Sequence, residues 1–101
     1  MNTRVKRVSR ENIERLYRAL SKIGDSQECE RVFEDLCTIS EIQAMAQRLE
    51  VAFLLDKDIS YTEIAEQTGA SSATVSRVSK CLNYGNGGYR LLMDRTEEDE
   101  I

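Results

Sequence analysis

The chain has 101 residues, 41% hydrophobic and 32% charged, enough for one domain with one modest core. It has no Pro, Trp or His, and its longest apolar run, Val51 to Leu55, is far too short to span a bilayer. The absence of His, with no phosphate-cradling Gly loop and no nucleophile beside an evident base, argues against an enzyme.

The net charge of −4 comes entirely from residues 94–101, which hold Asp94, Glu97, Glu98, Asp99 and Glu100 against Arg95. Residues 1–93 carry thirteen bases and thirteen acids. The bases are segregated, however. Residues 1–10 hold Arg4, Lys6, Arg7 and Arg10 without an acid, and residues 68–93 hold Arg77, Lys80 and Arg90 without one. Distribution rather than sum decides whether a surface can meet a polyanion. Cys29, Cys37 and Cys81 are odd in number, widely spaced and lack a CxxC pair. They read as buried or half-buried thiols of a reducing compartment, with no metal site and no cofactor expected. The basic N-terminal stretch has no apolar segment behind it, so it is not a secretory signal, and the cytoplasm is the expected location with no membrane contact.

Helical periodicity recurs along the chain. Ile13, Leu16, Tyr17, Leu20 and Ile23 make one stripe, predicting a helix from about Arg10 to Ile23, capped by Ser9 and stopped by Gly24. Cys29, Val32, Phe33 and Leu36 predict a second from about Gln27 to Cys37, capped by Asp25 or Ser26. Ser40 and Gln43 form a capping box for a third, whose stripe broadens late through Val51, Leu54 and Leu55, marking it as central. Ser60 and Glu63 form another box, followed by Ile64, Ala65, Thr68 and Gly69, then a helix from Ser71 to about Leu82. A last short helix follows Gly88, and residues 94–101 are expected to fray. Residues 1–93 are thus expected to form a single all-α domain.

Residues 60–82 have the makings of a helix-turn-helix. Ala65 is small where two helices must cross, and Gly69, four positions on, tolerates positive φ in the turn. Ile64, Ala70, Val75 and Val78 supply the apolar lock. The outward face of the second helix then falls to Ser71, Ser72, Ala73, Ser76, Arg77 and Lys80, with Tyr61 and Thr62 beginning the first. Short side chains permit close approach to a major groove, hydroxyls bond base edges or phosphates, and Arg can fork onto guanine. Double-stranded DNA is the expected partner and regulation of transcription, most simply repression, the expected role. The alternative is a helix-turn-helix used as a protein-interaction module, to which the neutrality of residues 1–93 lends weight.

From Leu36 to Leu82 the order of motifs resembles the Trp repressor superfamily, and within it the YerC/YecD family of Trp-repressor-related proteins; GASSATVSRVSKCLNYG, residues 69–85, is the most specific part. The resemblance implies a six-helix subunit in an intertwined homodimer, its reader helices facing successive major grooves. The apolar stripes of the first two helices fit such sharing. The resemblance also implies an effector cleft between the third helix and the reader helix, lined here by Gln47, Arg48, Arg77 and Cys81, with Cys37 and Thr38 nearby. In Trp repressors two arginines sandwich the indole of tryptophan. Here Arg77 keeps one place and Gln47 stands at the other; a neutral amide does not replace a planar cation. L-Tryptophan is therefore not the expected effector.

Overall fold

The computed structural model describes residues 7–99. Among these there are six helices and no strand: α1 Arg10–Leu20, α2 Ser26–Leu36, α3 Ile39–Asp56, α4 Tyr61–Thr68, α5 Ser72–Tyr84 and α6 Gly88–Asp99. Five of them begin the same way, with a side-chain oxygen taking a hydrogen bond from the backbone N–H three residues on. The pairs are Ser9 with Asn12, Asp25 with Glu28, Thr38 with Glu41, Ser60 with Glu63 and Ser71 with Thr74. Each such cap stabilises its helix by about 1 kcal/mol.

Two of the expected capping boxes differ. That of α3 is built from Thr38 and Glu41, not Ser40 and Gln43: Thr38 Oγ1 accepts from Glu41 N–H at 3.1 Å, and Glu41 Oε1 accepts from Thr38 N–H at 2.8 Å. A carboxylate accepts more strongly than an amide and favours the positive end of the helix. The same bond lowers the Glu41 pKa. At α4 only the Ser60 half forms among the described residues. α1 also stops short of Ile23. Lys22 N–H and Ile23 N–H reach back only three residues, to Ala19 and Leu20, tightening the last turn, while the Ser21 hydroxyl donates to Arg18 O at 2.6 Å.

A division after Cys37 separates two compact units, residues 1–37 and 38–101. In the first unit neither α1 nor α2 contains a buried residue. Its stripe stands open to solvent, with Ile13 42%, Leu16 41% and Tyr17 66% exposed.

The second unit has a dense core. Val51, Ala52, Leu54, Ile64, Ala70, Val75, Val78 and Met93 are buried, and Phe53, Leu55, Ile59, Leu82 and Tyr89 pack around them. α3 touches α4, α5 and α6, the central position its broad stripe predicts. It ends in a Schellman-type turn, with Ile59 N–H bonding Leu54 O and Asp58 N–H bonding Leu55 O. Asp58 takes the left-handed position, φ 59°, usually held by glycine. α6 continues as far as Asp99, so residues 94–99 of the acidic tail are helical, not frayed. Arg90 binds Asp56 of α3 at 2.7 Å and lies 3.7 Å from Asp94. The hydrogen bond from Arg90 lowers the Asp56 pKa.

Candidate nucleic-acid interface

The helix-turn-helix lies wholly within the second unit. α4 ends at Gly69, which has φ 73° and ψ 5°, the left-handed conformation the turn requires. A Cβ added there would meet nothing closer than Gln47 Nε2 at 4.0 Å. Glycine is therefore required by the backbone angle, not by lack of room. Gly69→Val is expected to lower stability by about 1–3 kcal/mol and to weaken DNA binding, because a β-branched residue is strained at positive φ. Thermal denaturation checks this, and an unshifted melting temperature would refute it.

Ile64, Val75 and Val78 are 0–1% exposed and Ala70 5%, so the apolar lock closes as expected. Half-buried Ala65 takes the Gly69 N–H on its carbonyl at 2.9 Å. At the other end of α5, a Cβ on Gly85 would overlap the Cys81 carbonyl, so this glycine ends the helix for want of space.

The candidate contact residues divide into two groups. Ser72, Ala73, Ser76, Arg77 and Lys80 are exposed, and their spacing puts them on one side of α5. Among the described residues no carboxylate lies within 4.0 Å of the Arg77 or Lys80 cations. Thr62 is also exposed. The hydroxyls of Ser71 and Tyr61 are engaged elsewhere. Ser71 caps α5 and donates to Thr74 Oγ1 at 3.0 Å. Tyr61 donates to Ser79 Oγ at 2.6 Å, pinning α4 to α5. The Tyr61–Ser79 bond, across 18 residues of sequence, leaves no trace in the spacing.

The proposed effector residues are not alike either. Gln47 and Arg48 are half-buried on α3, while Arg77 and Cys81 are exposed on α5. The Gln47 amide donates to Thr68 O at 3.2 Å. Thr38 is committed to its capping box, and half-buried Cys37 belongs to the first unit. Cys81 is exposed instead of half-buried, because Val75, Val78 and Leu82 make the inward stripe of α5 and leave Cys81 beside it.

The sequence profile of the family described as Trp repressor protein matches residues 11–97. The chain belongs to the Trp repressor family. That family is one of DNA-binding regulators, and its fold is not an enzymatic one. The chain is 50% identical over 88 residues to the uncharacterized protein YerC of Bacillus subtilis strain 168, covering 87% of this chain and 85% of that one. It is similar to the crystal structure of a TrpR-like protein from Eubacterium eligens at 46% identity, with a TM-score of 0.80 over 86% of this chain and 90% of that one. A crystal structure from Staphylococcus aureus matches with a TM-score of 0.80 at 38% identity, covering 86% and 87%. Among the described residues, no helix is long and apolar enough to cross a membrane.

Proposed function

We propose that this member of the Trp repressor family is a sequence-specific regulator of transcription, most simply a repressor, that reads the major groove of double-stranded DNA with α5. The observation that carries the reading is the exposed row Ser72, Ala73, Ser76, Arg77 and Lys80 on a helix without a single acid, held on a buried apolar lock. Small hydroxyl-bearing residues at the N-terminal end allow close approach, and the cations beyond them meet phosphates or guanine. It acts in the cytoplasm and needs no cofactor.

Selection from a random pool of DNA duplexes, followed by titration of the winning duplex at several salt concentrations, tests this. Phosphate contacts release counterions, so affinity should fall steeply with salt. Failure to enrich any sequence would favour the protein-interaction module instead.

The working unit is a homodimer. Two amphipathic helices whose apolar stripes contain no buried residue call for a partner surface, and two reader helices supply the affinity that one short helix lacks. Sedimentation at micromolar concentration should give about twice the 11.5 kDa of the chain. A clean single-chain species would overturn the dimer.

L-Tryptophan is not required. A corepressor must bind one conformation better than another, and with Gln47 at the position where the resemblance implies a second arginine, its amide bonded to Thr68 O, little differential contact is left for an indole carboxylic acid. Titrating the selected duplex with and without millimolar L-tryptophan should give the same affinity. A gain of about tenfold, or roughly 1.4 kcal/mol of coupling, would overturn this.

A further inference from the structure

Three hydrogen bonds converge on Thr68, the last residue of α4. Its carbonyl accepts from Gln47 Nε2 at 3.2 Å, across 21 residues of sequence. Its hydroxyl donates to Ile64 O at 2.7 Å and accepts from Ala70 N–H at 3.1 Å. Thr68 is half-buried, and so is Gln47. The last four carbonyls of a helix have no partner within it, and α4 has only eight residues, so such a carbonyl is a large part of its bonding capacity. The immediate continuation of the chain is Gly69 at φ 73°, then buried Ala70, then the Ser71 cap of α5. The direction in which α5 leaves the turn is set within these three residues.

We propose that Gln47 is a positioning residue for DNA reading: by holding the Thr68 carbonyl it fixes the turn, and through the turn the angle of α5, without any bound small molecule. The inference rests on α5 being the reader helix. The chain of contacts is continuous. Gln47 projects from the central helix, whose C-terminal half carries Val51, Ala52 and Leu54 of the buried core. Thr68 passes the restraint to Ala70 through its own hydroxyl. The Gln47 amide can donate to this carbonyl, as a methionine of nearly the same length cannot.

The test is Gln47→Met, with Thr68→Val as a second variant that removes the hydroxyl and keeps the carbonyl. Two readouts are needed: affinity for the duplex that the parent protein selects from a random pool, and amide hydrogen exchange at Gly69 and Ala70 relative to Val51 and Val75. Gln47→Met should lose on the order of tenfold in affinity, as expected when one net hydrogen bond per subunit ceases to hold the reading geometry. Exchange at Gly69 and Ala70 should accelerate while the core amides keep their rates. Thr68→Val should accelerate Ala70 most, since its N–H loses its acceptor. Affinity within twofold of the parent overturns the proposal. Weaker binding with unchanged exchange in the turn also overturns it, because Gln47 would then be touching DNA itself. A uniform rise in exchange across core and turn overturns it too, as the mark of a merely structural role. If the parent selects no duplex, the reader-helix assignment fails, and the exchange arm still decides whether Gln47 fixes the turn.

Discussion

Ile64→Ala is expected to lower the unfolding free energy by about 2–5 kcal/mol, a large fraction of what holds a domain of this size together. Ile64 is fully buried and is the one buried side chain of α4. It sits in the same core as Val51 and Ala52 of α3, Val75 and Val78 of α5, and Met93 of α6. Truncation removes its own transfer free energy and leaves a void in a core whose other members cannot all move toward it. Chemical denaturation of the variant measures the effect, and a loss below about 1 kcal/mol would mean that α4 is not held by this residue. Because α4 is short, its displacement should also abolish DNA binding before the domain unfolds globally.

Arg77→Ala should weaken binding to the selected duplex most among the exposed residues of α5. A bidentate arginine–guanine contact is worth about 1–3 kcal/mol, and in a two-fold dimer the loss is felt at both half-sites. Lys80→Ala should reduce affinity more evenly across sequences and flatten the salt dependence, as the loss of a phosphate contact does. Both side chains are exposed, so circular dichroism and melting temperature should stay at parent values. If both variants bind as tightly as the parent at matched salt, α5 is not the reading element.

Much of the second unit was legible because its signals are local. Gly69, Ile64, Val75 and Val78 obey rules of backbone angle and helical spacing that hold within one or two turns, and each sits where those rules place it. The start of α3 was less legible, since Thr38 with Glu41 and Ser40 with Gln43 both satisfy the capping pattern, and only the strength of a carboxylate acceptor separates them. Cys81 is hard to place from sequence for a related reason: a stripe of Val75, Val78 and Leu82 has an edge, and one residue's rotation decides which side of that edge a thiol occupies. The contacts of Gln47 with Thr68 and of Tyr61 with Ser79 were invisible, because they join residues 21 and 18 positions apart through single side-chain atoms that leave no periodic trace. The end of α3 is legible in Asp56-Lys57-Asp58, since aspartate is among the few residues other than glycine that accept the left-handed position.

Met93 marks where the core's hold on α6 ends. It is fully buried, whereas Asp94 to Glu97 are exposed. Cleavage of the backbone just after Met93 would spare every residue of the buried core, whereas cleavage before it would open that core. The product would be a protein of different electrical character: residues 94–101 carry the whole net charge of −4, and residues 1–93 are neutral. Such a trimmed protein would lose a general repulsion toward polyanions and, with it, part of the like-charge repulsion that keeps copies apart in solution. Proteolysis at this boundary would therefore tighten non-specific association with DNA and lower solubility while leaving the reading face of α5 untouched.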